Sequence, residues 1–405
     1  MTRSVIVNPR RRALLAATAL AAVGALTLTA CGGDADADND KKGASASAKG
    51  ADITISSKDG ATDASINATG VKVKGGKLTS VKMTSVTSGA AVEGTISGDG
   101  TTWKPKAQLE RGTKYKVTAN AKDPKGNAAT ENATFTTVSS ANSFIGSYTP
   151  DGGAKVGVGM PVSFNFDKPI TEKKDVQSHI TVTSTSGQKV VGHWFGNQRL
   201  DFRPEEYWKA GSKVTMKINL DGVKGGNGIT GVQHKTVTFT VGRAQVSTVD
   251  VKTKKMTVER DGKVIKTVPI SAGSPSNPTY NGKMVISEKF TQTRMNGDTV
   301  GFGGEYDIKD VPHAMRLSTS GTFIHGNYWG SPSIFGSANT SHGCVGLQDA
   351  RGAGDPNTMG AWFFNNSLIG DVVNVTGSPD KTIAPDNGLN GWNMSWSEWT
   401  AGSAS

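Results

Sequence analysis

Trp103-Lys-Pro105 is followed seven residues later by Gly112-Thr-Lys-Tyr-Lys-Val117, and Phe202-Arg-Pro204 is followed seven residues later by Gly211-Ser-Lys-Val-Thr-Met216. Every matched position is displaced by 99 (202 − 103), so one supersecondary unit occurs twice. Both copies run through a Gly-rich turn, "DPKGN" or "DGVKGGNG", into a closing strand, "ATFTTV" or "VTFTV". Alternation at Tyr115, Val117, Ala119 and Ala121, and at Val214, Met216, Ile218 and Leu220, turns one side of each strand inward with a period of two. This pattern predicts two β-sandwich modules, over residues 51–140 and 141–243.

Composition agrees with that reading. The chain holds 51 Gly in 405 residues and only 7% aromatics, with abundant Thr, Val and Ser, which favours strands and tight turns over helices. Modules of roughly 90 to 100 residues fit an immunoglobulin-like sandwich. They carry no reactive cluster: His193 and His234 stand alone in strand-like or loop context and read as packing or surface residues. The modules read as spacers.

The start of the sequence is of another kind. Arg10, Arg11 and Arg12 precede an apolar run from Ala13 to Ala30 that ends in small residues, the layout of an export signal. The run is short and Ala-rich, which argues against a membrane-spanning anchor. Leu28-Thr29-Ala30-Cys31 resembles the lipobox of bacterial lipoproteins, with Cys31 as the lipidated residue, so residues 1–31 read as a lipoprotein signal. Residues 32–50, "GGDADADNDKKGASASAKG", lack any aromatic or large aliphatic side chain and read as a disordered tether. Losing Arg3, Arg10, Arg11 and Arg12 with the signal reduces the net charge from +11 to +7 (11 − 4). That modest excess suits an anionic envelope and points to no nucleic-acid partner. The expected location is the outer face of the cell membrane and the cell wall.

A third, β-rich region spans 244–378. Asp261-Gly262 between alternating runs signals a two-residue hairpin, because a type I′ turn needs positive φ at both central positions. Only "MGAWFFNNS", Met359 to Ser367, reads as a helix. The tail, 379–405, carries Trp392, Trp396 and Trp399 at spacings of four and three. That spacing predicts one helical face docked on the second module or on the third region.

With Cys31 lipidated, Cys344 in "NTSHGCVGLQD" is the single free thiol. Oxidising compartments consume exposed thiols, so such a residue is either buried or chemically used. His342 and Cys344, two apart, share one face of an extended segment, and His325 lies seventeen positions before His342 (342 − 325) at the end of another strand. A cysteine nucleophile needs a base or a cationic partner, and a nearby imidazolium lowers the thiol pKa. Backbone N–H groups on a Gly-flanked turn can receive an oxyanion. These are the parts of an acyl-transfer site.

His325-Gly326 followed by Ser341-His342-Gly343-Cys344 resembles the signature of the L,D-transpeptidases, the YkuD-type catalytic domain. The segment "SAGSPSNPTYNGKMVI", Trp329 and the Trp-rich tail resemble pieces of the same family. The order of lipobox, tether, two Ig-like modules, catalytic domain and tail is similar to its long actinobacterial members. The resemblance implies that Cys344 attacks the carbonyl between the third-position diamino acid and the terminal D-Ala of a peptidoglycan tetrapeptide stem. His325 would be its base, its ring oriented through the Gly326 carbonyl, and amides near His342, Gly343 and Cys344 would hold the oxyanion. Ser341 belongs to the motif, and His342 would shape the pocket. Tyr306, Met295, Ser320 and Trp329 would be pocket or lid positions. The acyl group would pass to the side-chain amine of a second stem, giving a 3→3 crosslink, with no cofactor. Carbapenems would acylate the same thiol, and a monomer is implied.

One departure stands out: the family most often has Asn or Arg two residues after the cysteine, and this chain has Gly346. Two rival readings are a wall-binding scaffold with a dead site, and a zinc site built from His325, His342, Cys344 and His313. The second lacks the paired Cys spacing usual for zinc.

Overall fold

The computed structural model describes residues 50–405. The lipobox with Cys31 and nearly all of the tether lie outside them. The protein is mainly β.

Residues 52–136 form two facing sheets. One contains Asp52–Ile55, Val71–Lys74, Thr102–Pro105 and Gly94–Ile96, and the other contains Lys77–Ser85, Lys114–Lys122 and Ala128–Thr136. Tyr115, Val117, Ala119 and Ala121 point into the space between them and are buried, together with Trp103 and Phe135. The second sandwich repeats this arrangement. Gly146–Thr149, Val162–Phe166, Arg199–Pro204 and Val190–Phe195 make one sheet, and Lys155–Val156, His234–Val241, Lys213–Asn219 and Ile180–Ser184 the other. Val214, Met216, Ile218 and Leu220 lie in its core with Phe164, Phe239 and Trp208. Period-two burial is what drives each strand to present one face inward.

The third region is built on a nine-stranded sheet. Its strands are β1 (Gln245–Asp250), β2 (Lys255–Arg260), β3 (Lys263–Ser271), β4 (Gly282–Val285), β5 (Glu288–Asn296), β6 (Asp307–Arg316), β7 (Phe323–Asn327), β8 (Val345–Gln348) and β9 (Val372–Thr376), in the order β4-β9-β1-β2-β3-β8-β7-β6-β5. The β2–β3 turn has Asp261 at φ 50° and Gly262 at φ 77°, the double positive φ of a type I′ turn. Helix α1 runs Met359–Asn366. Thr358 caps it by accepting from the Ala361 N–H at 3.1 Å, and Phe363 enters the sheet's core beside Ile324, Val345 and Leu347.

The tail packs back on the second sandwich, but not as one helix. Trp392 belongs to a single 3₁₀ turn, Gly391–Asn393, while Trp396 and Trp399 lie on helix α2, Trp396–Ala401. The backbone breaks at Met394 and Ser395, where Ser395 and Glu398 form a capping box. The three rings meet instead on one cation. The Arg203 guanidinium lies 4.7 Å from the Trp392 ring, 5.5 Å from Trp396 and 4.3 Å from Trp399. Burial pulls its pKa down to about 10, so it remains charged and the desolvated contact with the ring faces is strong. His193 is buried; its ring stacks on Trp399 at 4.9 Å and its Nδ1 bonds the Trp399 carbonyl at 2.9 Å. Trp399→Ala is expected to lower the unfolding free energy by about 3 to 5 kcal/mol, read as a fall in urea midpoint at constant slope. An unshifted midpoint would show that the tail adds no stability.

Candidate functional site

Strands β7 and β8 run parallel in the register Ile324↔Val345, His325↔Gly346, Gly326↔Leu347, Asn327↔Gln348. Alternation therefore sorts their residues onto two faces. Ile324, Val345 and Leu347 enter the core and are fully buried. His325, Asn327, Cys344 and Gly346 fall on the opposite face and line one cavity of about 170 Å3. Sheet pairing thus brings together a thiol and an imidazole that are distant in sequence.

His325 is buried, and its Nδ1 donates to the Gly326 carbonyl at 2.8 Å. That bond leaves Nε2 as the acceptor nitrogen. The ring stacks on Trp329, 5.6 Å between centroids. Burial holds its pKa below the ordinary histidine value, opposed more weakly by the Gly326 carbonyl and the Asp349 charge. Asp349 lies on the far face beneath Gly326, where any side chain would collide with its carboxylate. His313 Nδ1 donates to Asp349 Oδ2 at 2.8 Å and Thr358 Oγ1 to Oδ1 at 2.8 Å. His313 is therefore committed to a carboxylate and does not line the cavity. Among the described residues, no three His, Cys, Asp or Glu cluster as metal ligands. Sequence patterning offered no signal for Asp349, since a lone Asp after a strand is commonplace.

The turn 341–344 is braced by Ser341. Its Oγ accepts from the Gly343 N–H at 3.2 Å and donates to the Cys344 carbonyl at 2.6 Å. Gly343 sits at φ 108°, a region closed to residues with a Cβ, although space there is ample. One of the three amides named as oxyanion donors is thus engaged internally, which leaves that task to its neighbours. His342 Nε2 meets Glu305 Oε2 at 2.9 Å, and its ring packs edge-on against Phe302 and tilted against Tyr306. All three partners come from the 297–306 loop that joins β5 to β6, so His342 fastens this loop over the site.

The thiol departs from the sequence expectation of a depressed pKa. Cys344 packs against Val311, Ala314 and Phe323, and loss of water around the sulfur pushes its pKa up to about 11, against a smaller opposing effect of the Phe323 backbone. Desolvation disfavours the thiolate, and the partner imidazole, itself buried, is neutral and supplies no positive charge. The resting pair is therefore a neutral thiol beside a neutral imidazole. The S–H donates to the Gly321 carbonyl at 3.6 Å.

Met295, Tyr306 and Trp329 line this cavity with Ser271, Ile308 and Thr340. Ser320 does not: it lines a second cavity of about 290 Å3, with Asn277, Tyr280 and Phe302, and His342 borders both. Asn387 of the tail donates to Ser320 Oγ at 2.8 Å. Asn327 was absent from the sequence-based candidates, although its place two residues after His325 puts it on the same face.

A bacterial Ig domain family matches residues 61–224, and the L,D-transpeptidase catalytic domain family matches residues 244–375. The chain is 33% identical over 356 residues to L,D-transpeptidase 2 of Mycobacterium tuberculosis (strain CDC 1551 / Oshkosh), covering 87% of this chain and 85% of that protein. It is 29% identical over 341 residues to L,D-transpeptidase 5 of the same species (strain ATCC 25618 / H37Rv), covering 82% and 72%. A solved LD transpeptidase in complex with imipenem aligns at a TM-score of 0.48 with 28% identity, over 58% of this chain and 99% of that one. With its sandwiches in the Ig-like region and its thiol–imidazole face in the matched catalytic domain, the chain belongs to the L,D-transpeptidases.

Proposed function

We propose that the protein forms 3→3 crosslinks in peptidoglycan through a Cys344 acyl-enzyme. The observation that carries this reading is the shared face of β7 and β8, which presents Cys344 and His325 to one cavity. The thiol proton turns from the Gly321 carbonyl to Nε2 of His325 as sulfur attacks the stem carbonyl. A base that is neutral at working pH and fixed in tautomer suits this transfer. The carbonyl oxygen becomes an oxyanion held by the amides of His342 and Cys344. Collapse expels D-Ala, which takes the proton from His325, and an amine of a second stem then attacks the thioester, restoring the thiol. Lipid attachment at Cys31, a membrane-anchored location facing the wall, and spacer roles for residues 51–140 and 141–243 complete the proposal.

The test is mass spectrometry of the protein after incubation with a disaccharide tetrapeptide. The expected adduct is the stem minus D-Ala. Cys344→Ala abolishes it, and His325→Ala slows its appearance on the order of a hundredfold or more. Failure of the wild-type chain to form any adduct would favour the wall-binding scaffold. A carbapenem, whose strained lactam carbonyl is also an acyl donor, is expected to block Cys344 to thiol reagents.

The neutral resting pair has its own signature. A thiol at about 11 is protonated across the neutral range, and its thiolate fraction grows about tenfold per pH unit until the pKa is reached. Alkylation of Cys344 by iodoacetamide should therefore rise steadily from about pH 7 to pH 10. A plateau already reached at neutral pH would reveal a thiolate–imidazolium pair and overturn the assignment.

A further inference from the structure

The cavity face of β7 and β8 offers four positions, Cys344, Gly346, His325 and Asn327. Two are used by the chemistry proposed above, one has no side chain, and the fourth is a carboxamide buried to 8% exposure. Asn327 Oδ1 accepts from the Gly330 N–H at 2.8 Å, and this bond fixes which end of the amide is which. Nδ2 makes no hydrogen bond to the described residues and is not sealed from the cavity that Asn327 lines. A Cβ built on Gly346 would lie 3.6 Å from both Cβ and Nδ2 of Asn327 and 3.4 Å from the Ser271 carbonyl oxygen. These are ordinary contacts, and Gly346 does not have the positive φ that reserves a site for glycine. The backbone therefore does not require glycine at 346. Its missing side chain leaves open the space that the Asn327 side chain borders, one strand position from His325.

We propose that Asn327 is a specificity-determining residue of the cavity, its Nδ2 donating across the open position at Gly346 to a carboxylate or amide carbonyl oxygen of the bound stem. It supplies, from the neighbouring strand, a polar group where Gly346 offers none. The inference rests on the reading of this cavity as the stem site, and Asn327 acts by binding, not by proton transfer.

Asn327→Asp keeps the Oδ1 acceptor for Gly330 and replaces Nδ2 by an oxygen, adding a negative charge to the cavity; Asn327→Ala removes donor and acceptor without adding charge, so an effect common to both variants reports the lost donor. In the full chain, the concentration of tetrapeptide that half-protects Cys344 from iodoacetamide is expected to rise about tenfold in either variant, the loss of one hydrogen bond to a charged or carbonyl oxygen. Alkylation without peptide should stay within about twofold of wild type. Asn327→Asp should bind stems with free carboxylates less well than amidated stems if the acceptor is a carboxylate, and both equally if it is a carbonyl. Asn327→Ala combined with Gly346→Asn should recover most of the protection. Unchanged protection in Asn327→Asp overturns the proposal, as does a changed alkylation rate in both variants with no recovery in the double variant, since Asn327 would then only brace the Gly330 turn. Binding protects the thiol even without acylation, so a wild-type chain that binds stems without turnover would sink the proposed function and still decide the role of Asn327.

Discussion

The site depends on the parallel pairing of β7 with β8. Alternation makes a strand's two faces inseparable, so a slip of one residue would turn His325 into the core and Ile324 into the cavity. The register is held from both sides: Ile324, Val345 and Leu347 fill the core, and β3 pairs with the other edge of β8 at Ile270↔Leu347 and Ser271↔Gly346. A parallel pair also demands a long crossover. Here the crossover, residues 328–344, is itself the cavity wall, contributing Trp329, Thr340 and the braced turn. Fold and site are therefore one construction: the connection that the topology requires supplies the walls that the chemistry needs.

The electrostatics follow from packing and not from charge pairing. Neither the sulfur nor the imidazole has an opposite charge in hydrogen-bond contact, and Asp349, the carboxylate whose charge acts on His325, is on the far face and occupied by His313 and Thr358. Burial dominates both groups and keeps both uncharged. This gives the thiol at Cys344 a means of persisting unmodified. Oxidants and adventitious electrophiles attack thiolates, and a neutral thiol bonded to a carbonyl resists them until an acyl donor enters the cavity and the base accepts the proton.

Much of this was legible in the sequence where period and spacing were the message. Alternation at Tyr115 through Ala121 and at Val214 through Leu220 identified inward faces, the Asp261-Gly262 pair identified a turn, and "MGAWFFNN" identified α1. What spacing could not reveal was which strand lies beside which. Gly346 read as a missing contact when considered alone, and only the β7–β8 register shows Asn327 across from it. The tail shows the same limit: four- and three-residue spacings suggested one helix, whereas the rings converge through a backbone break because Arg203, on another strand, attracts all three. The expected acidic thiol failed for a related reason, since the pKa is set by the Val311, Ala314 and Phe323 side chains that only the tertiary structure gathers around the sulfur.

The embrace of the second sandwich by the tail joins residues far apart in the chain: His193 and Trp399 are separated by 206 positions, and Gln177 and Ser403 by 226. A chain synthesised from its N-terminus exposes the Arg203 face long before its aromatic cover arrives. The intervening nine-stranded sheet must emerge first, and its compaction shortens the loop that has to close. Docking of Trp399 is thus a late, non-local event, and it reports on the state of everything between its two ends. In this architecture the second sandwich reaches its final form only when the catalytic domain does.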